Sequence, residues 1–350
     1  MTTLKRSRKT SQQLEAMLDL FVRDEDWLIV INADPDAMAS AMALKRIMAH
    51  RAGEVVISHI NAITRPDNLA MIRFLDIPMV PHDDTLCAFF NKYAIVDSQP
   101  HHSPEFSGFT PSIVIDHHPR DAEHPCPAVY CDIRGSDKPG SATTSAILSE
   151  YLFSLRIRPG TRLATALQYG IRTDTAGFTR NTSELDLKAY IGLAKYADPA
   201  ILQRILRSEY LPGWLKYFSR AFASMHPCGT GRFAFTGEVE SPDILVVVAD
   251  FFTKVHGLRW VVVGGVHQGT VILIFRGDGR STDLGKMAMD RFGAIGSAGG
   301  HKAMARAEFP SDAAEGRNLE AFIFKRLSEP SSRFGGTVSA ETPTRVPPNS

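Results

Sequence analysis

The chain has 350 residues, 44% of them hydrophobic and 22% charged, with a formal net charge of +1. Such a composition suits a soluble globular protein with room for two domains, and the charge balance excludes the broad grip on long nucleic acid that an excess of Lys and Arg provides. No apolar run approaches the roughly 20 residues that cross a bilayer, and MTTLKRSRKT lacks a following signal-peptide core, so no membrane association and a cytoplasmic location are expected.

Cys87, Cys126, Cys131 and Cys228 show no C-x-x-C spacing. Neither a zinc knuckle nor a disulfide framework is expected from them.

In chain order, an N-terminal arm over 1–24 precedes an alternating α/β pattern. WLIVIN (27–32) reads as a strand, AMASAMALKRIMAH (37–50) as a helix with an apolar stripe, and EVVISHI (54–60) as a strand. In TRPDNLAMIRFLDIP, Arg65, Asn68 and Arg73 accompany a helix whose Leu69, Ile72 and Leu75 are expected to face the core. YAIVD (93–97), SIVID (112–116) and AVYCDI (128–133) read as further strands. SATTSAILSEYLFSL (141–155), with Ser141 as N-cap, and TRLATALQYGI (161–171) read as helices.

Alternation of this kind predicts an α/β domain over 25–182, with a mostly parallel sheet flanked by helices. A helical stretch broken at Pro199 and Pro212 then suits a connector over 183–228. A smaller α/β domain over 229–329 follows: RFAFTGEV (232–239), a helix over 243–256, RWVVVGGV and TVILIFRG as a hairpin, and a helix near 283–292 that leads into GSAGGHKAMARAEF. The Ser-, Pro- and Thr-rich tail over 330–350 is expected to be disordered.

Acids recur at the ends of the first domain's strands: Asp34 and Asp36 in NADPDAMAS, Asp97 in AIVDSQP, and Asp116 with His117 and His118 in VIDHHPR. Asp174 in GIRTDTAGF follows a helix. Parallel strands bring their C-terminal tips together, so these residues can share one cleft. Crowded carboxylates raise one another's pKa, a cost that divalent cations relieve. Oxygen ligands mixed with imidazole favour Mn²⁺, with Mg²⁺ the alternative. Two such ions can lower the pKa of a water and clamp the attacking and leaving oxygens of a phosphoryl displacement.

Taken singly, each residue has a plainer reading. Asp36 could be an N-cap, Asp97 a turn former, Asp116 a partner for a core histidine, and Asp174 a turn cap. The ordered set D-x-D, V-D, D-H-H, T-D-T resembles the DHH phosphoesterase superfamily, and SAGGHKAMARAEF resembles the G-G-H motif of its associated DHHA1 domain; the likeness spans about residues 25–325.

The resemblance implies two divalent ions, usually Mn²⁺, held by Asp34, Asp36, Asp97, His117 and Asp174, with Asp97 bridging both. It further implies that Asp116 orients a histidine for its metal, that His118 faces the substrate phosphate, and that Arg276, Gly299, Gly300 and His301 bind phosphate in the second domain. Arg280 is a looser candidate. One departure is Val30, where members that hydrolyse short substrates carry a histidine; the Asn32 carbonyl oxygen or a water could stand in. His101 and His102 have no matching role and read as a surface or cleft-rim loop.

The compact layout resembles the oligoribonuclease (nanoRNase) branch, which degrades short oligonucleotides to mononucleotides and dephosphorylates 3′-phosphoadenosine 5′-phosphate. The alternatives are a cyclic-dinucleotide phosphodiesterase, a RecJ-like single-strand exonuclease, and a nucleotide-sensing module without turnover. The resemblance also makes a homodimer an expectation.

Overall fold

The computed structural model describes residues 8–135, 141–208 and 210–329. The chain divides into two compact units, Met1–Glu209 and Tyr210–Ser350. The 330–350 tail and the Pro139–Gly140 pair before the expected helix start lie outside the described residues.

In the first unit the elements run α1 (Arg8–Leu18), β1 (Trp27–Ile31), α2 (Pro35–Met48), β2 (Val55–His59), α3 (Pro66–Leu75), β3 (Met79–Pro81), α4 (Asp84–Cys87) and β4 (Lys92–Val96). Two 3₁₀ turns (Pro100–His102 and Pro104–Gly108) follow, then β5 (Ile113–Asp116), β6 (Tyr130–Ile133), α5 (Thr144–Ser154), α6 (Thr161–Asp174), α7 (Glu184–Leu193) and α8 (Pro199–Leu206). The six strands form one sheet in the order β3-β2-β1-β4-β5-β6, with every pairing parallel. Strand order reverses between β1 and β4, and the crevice at such a switch point is where open α/β sheets bind ligands.

β1 is buried along its whole length, as a central parallel strand with both faces covered should be. The two faces are covered unequally. Trp27, Ile29 and Ile31 pack with residues of α1, α2, α3, α5 and α6. Leu28, Val30, Ile95 and Val114 face the thinner layer that includes Phe106 and Phe109 around the second 3₁₀ turn. Val30 is thus a core residue, fully buried beside Ile95 and Val114.

Several boundaries differ from expectation for local reasons. α2 begins at Pro35, two residues early, because Asp34 caps it and proline suits the first helical position. Thr143, and not Ser141, caps α5 through a bond from the Ala146 amide. In α3 the inward residues are Met71 and Leu75, while Leu69 is 46% exposed, so its expected core role is wrong. α6 continues through Asp174, which ends the helix instead of following it.

The helices expected as one connector are divided between the units. α7 packs on α5 and α6, and α8 on α3. The second unit opens with α9 (Leu215–Ala223), which packs on the strand Gly231–Glu238.

The remaining elements are β7 (His226–Cys228), β8 (Gly231–Glu238), α10 (Pro242–Phe252), β9 (Trp260–His267), β10 (Thr270–Gly277), α11 (Leu284–Phe292), β11 (Ser297–Gly300), β12 (Met304–Pro310) and α12 (Leu319–Ser328). They build a mixed sheet, β11-β12-β10-β9-β8-β7, in which β8 and β9 are parallel and the other pairs antiparallel. The β9–β10 hairpin turns at Gln268 and Gly269, both at positive φ, which a tight two-residue hairpin requires.

Candidate metal centre

The C-terminal ends of β1, β4 and β5 converge with the N-termini of α2 and α5 and the C-terminus of α6. Gly170 permits this approach: a Cβ there would lie 2.4 Å from Ser145 Oγ and 3.1 Å from Asp36 Cα. The loop after β1 is braced by Asn61, which accepts from the Ala33 amide at 2.6 Å and donates to the Ala33 carbonyl at 3.0 Å.

Asp36 is buried, and it caps not its own helix but α5. Its Oδ1 accepts from the Ser145 amide at 2.7 Å and its Oδ2 from the Thr144 amide at 2.9 Å. Burial still pushes its carboxyl up to about 7, opposed by His117 and reinforced by Asp174 and Asp34. Asp97 closes β4 with φ +62°, a left-handed conformation that Asp tolerates better than most residues, and its Oδ1 accepts from the Thr144 hydroxyl at 2.6 Å. Burial also raises Asp97 well above the usual carboxylate range, helped by the negative charges of Asp36, Asp34 and Asp116.

His117 lies between the acids, with Nε2 3.6 Å from Asp97 Oδ1 and Nδ1 3.7 Å from Asp174 Oδ2. Two three-residue groups share it: Asp36, His117 and Asp174, and Asp97, His117 and His118, each with ligand atoms within 4.8 Å of one another. Asp34 stands outside both groups; its Oδ1 accepts from the Ala37 amide at 2.9 Å as the α2 cap, and desolvation, with Asp174 nearby, raises its carboxyl. Asn32 is exposed.

The donor set fits divalent cations. Buried carboxylates that resist ionisation among themselves, together with an unblocked imidazole, form an environment that a cation relieves.

Asp116 serves His118 and not His117. Its Oδ1 meets His118 Nδ1 at 2.8 Å, and its Oδ2 accepts from Gln99 Nε2 at 2.8 Å. Burial would raise Asp116, yet the His118 and Gln99 contacts outweigh it and hold the carboxyl low. The same contact raises His118 above the ordinary histidine value. Of the two histidines in the D-H-H string, it is the second whose ring Asp116 holds in place.

His102, in the loop expected at the surface or cleft rim, is exposed, stands 5.5 Å from His118 ring to ring and forms a third group with Asp116 and His118. Gln99, Thr144 and Ser145 also escaped the sequence reading. The Ser/Thr-rich opening of α5 was the available signal for Thr144 and Ser145, although the Asp36 target, 108 residues from Thr144, was not.

In the second unit, Gly299 and Gly300 lie on the edge strand β11, paired with Arg306 and Ala305 of β12. His301 is exposed at the turn, with its amide bonded to the Met304 carbonyl at 2.7 Å. Arg276 is not free: its Nε donates to Asp250 Oδ1 at 2.6 Å. Arg280 donates its amide to Asp278 Oδ1 at 2.8 Å in an exposed turn.

No family model matches the chain. An uncharacterized protein of Methanocaldococcus jannaschii, MJ1633, is 32% identical over 281 residues, which are 80% of this chain and 56% of that protein. The chain therefore spans little more than half the length of that relative. A crystal structure of an exopolyphosphatase-related protein from Bacteroides fragilis matches with a TM-score of 0.67 at 14% identity, covering 91% of this chain and 95% of that one. A crystal structure of the exonuclease RecJ bound to manganese matches with a TM-score of 0.55 at 14% identity, covering 96% and 97%. The likeness to both is one of fold: a parallel, helix-flanked α/β unit followed by a smaller mixed one. Among the described residues, no helix is long and apolar enough to cross a membrane.

Proposed function

We propose that the protein is a divalent-metal phosphoesterase acting on short oligonucleotides or small phosphorylated nucleotides such as 3′-phosphoadenosine 5′-phosphate. The observation that carries this reading is the convergence of buried Asp36 and Asp97, both raised by burial, on His117 and Asp174 at the switch point of the sheet. The fold shared with an exonuclease crystallised with manganese supports it.

Asp36, Asp97, His117 and Asp174, with Asp34 at the rim, would hold two divalent ions, Mn²⁺ by preference and Mg²⁺ second. Bound there, such ions supply an acidified water and a positive charge for the phosphoryl oxygens. His118 has a different task. Asp116 behind it raises its pKa, which suits an imidazole that donates to a phosphate oxygen. Thr144 and Gln99 orient Asp97 and Asp116.

In the second unit, Arg276, Gly299, Gly300 and His301 are the proposed phosphate-binding set, with Arg276 exchanging Asp250 for phosphate. A net charge of +1 suits a substrate with few phosphates.

The test is product release by the full chain with Mn²⁺ from four substrates in parallel: an RNA dinucleotide, 3′-phosphoadenosine 5′-phosphate, a cyclic dinucleotide and a long single-stranded DNA. Preference for the first two supports the proposal. Exclusive cleavage of the cyclic dinucleotide or of long DNA replaces the substrate class. Silence on all four despite stoichiometric Mn²⁺ binding replaces turnover with ligand sensing.

A further inference from the structure

We propose that the end of the first unit opposite the acidic cluster carries a second ligand site, which takes a nucleotide. Two adjoining cavities, of about 640 Å³ and 490 Å³, share Arg46, Gly160 and Thr161. Met42, Ala49, Val55, Pro78 and Leu163 give the larger one an apolar wall. Arg46, Arg158, Lys195 and Tyr196 line the smaller one, and no carboxylate lines either.

The cations divide into engaged and available. Arg162 is paired with Asp76 at 2.7 Å, and Lys45 lies within the field of Glu54. Among the described residues Arg46, Arg158 and Lys195 have no carboxylate partner, and the Arg158 guanidinium rests over the Tyr196 ring at 5.3 Å. Three unneutralised cations around one cavity repel one another until an anion enters. α6 adds to this field, since its N-cap Gly160 has no side chain to satisfy the first-turn amides.

The apolar cavity decides what the anion carries. A bare phosphate would leave Met42, Val55 and Leu163 facing water, and a sugar phosphate would set hydroxyls against them without hydrogen-bond partners. A flat nucleobase matches an apolar wall of this size, and pockets of a few hundred Å³ with a few convergent polar groups are the usual ligand-site format. The phosphate would then sit over Arg46, Arg158 and Lys195, with the base against Met42.

This site is remote from the proposed chemistry. Along α6, Thr161 at the groove and Asp174 at the acidic cluster are 13 positions apart, about 20 Å, and along α2 Met42 and Arg46 lie six and ten positions beyond Asp36, about 9 and 15 Å. A nucleotide here does not reach Asp97, so the site is one for retention or regulation, and it stands independently of the proposed reaction.

The experiment is isothermal titration of the full chain in EDTA with AMP, adenosine and inorganic phosphate. AMP is expected to bind at least tenfold more tightly than either fragment. The double variant Arg46→Glu/Lys195→Glu, altered only at exposed positions, should weaken AMP at least tenfold, and Met42→Gln should weaken AMP without affecting phosphate. Asp97→Asn should leave AMP binding unchanged. The proposal is overturned if AMP binds no better than phosphate, if the double variant binds as the parent does, or if Asp97→Asn abolishes binding, which would put the nucleotide in the acidic cleft. Failure of the phosphoesterase assay alters none of these outcomes.

Discussion

The Thr144 hydroxyl donates to the Asp97 carboxylate over 2.6 Å, while the amide of the same residue donates to Asp36 over 2.9 Å. One residue at the start of α5 thus holds two acids that arrive from different strand ends. Thr144→Val keeps the amide bond and the shape but removes the hydroxyl. Partners that orient ligands in this way are worth about 10- to 100-fold in metal affinity. Mn²⁺ titration followed by electron paramagnetic resonance should show a loss of that size in Thr144→Val and little in Thr144→Ser. Equal affinities would mean that Asp97 needs no positioning.

At Asp97 itself, backbone and side chain make separable demands. A φ of +62° costs Ala about 1 kcal/mol or more, so Asp97→Ala confounds a lost ligand with backbone strain. Asn tolerates the left-handed region, which makes Asp97→Asn the cleaner probe. It should melt within a few degrees of the parent in EDTA yet lose at least about a thousandfold in turnover, the scale of losing a principal electrostatic contributor. Near-normal turnover in Asp97→Asn would overturn the metal-centre assignment.

Stability should depend on pH in a direction unusual for acids. Asp36 has a folded pKa of about 7 against 3.8 for the free side chain, so between those values the folded state keeps a proton that the unfolded state has released. Its contribution therefore declines as pH rises from about 4 to about 7. Asp97 acts in the same direction. His118, raised by Asp116, contributes fully below 6.5 and loses that contribution as pH rises through its higher folded value. Asp116 is depressed below 3.8, so its contribution is already complete above that value and is lost only in stronger acid. The metal-free protein should thus melt at lower temperature at pH 8 than at pH 5.5, and Mn²⁺ should restore more at pH 8, because its ligands must first lose their protons. Calorimetry in EDTA and in Mn²⁺ at the two pH values checks this. A metal-free melting point that rises with pH would contradict the buried-acid account.

How much of this was legible in sequence follows from the range of each interaction. β1 and β5 were readable because Trp27–Ile31 and Ile113–Ile115 are continuous apolar runs, and the acid that directly follows the second marks a strand tip without any tertiary knowledge. Asp36 shows where local reading stops. Its place beside a helix start suggested a cap for that helix, but the donors it satisfies belong to Thr144 and Ser145, brought near only by the packing of α2, α5 and α6. The D-H-H string could not show which histidine Asp116 serves, since that depends on Gln99 filling the other carboxylate oxygen. Arg276 sat at the expected strand end, yet its ion pair with Asp250 comes from a helix 26 positions earlier.

The last prediction concerns Gly135, a residue without side chain that controls His118. A Cβ at this position would lie 1.8 Å from the His118 carbonyl oxygen and 2.5 Å from the Pro119 nitrogen, so one of the two segments must give way in Gly135→Ala. The end of β6 is poorly placed to yield. Neighbouring Arg134 is clamped by Asp132, with Nε at 2.9 Å and Nη2 at 2.8 Å, and by Glu150 at 2.7 Å. Its amide is tied to the Asp116 carbonyl at 2.9 Å. Displacement therefore falls on the His118–Pro119 segment, whose two carbonyls, among the described residues, accept from Gln99 Nε2 at 3.3 and 3.0 Å. Overpacking of this kind costs about 1–3 kcal/mol, measurable by urea unfolding. The sharper readout is His118 itself. Moved away from Asp116, its imidazole should lose part of its raised pKa, visible by NMR titration, and turnover should fall more than substrate affinity. A Gly135→Ala protein that is destabilised but keeps the His118 titration of the parent would show that β6 had yielded after all.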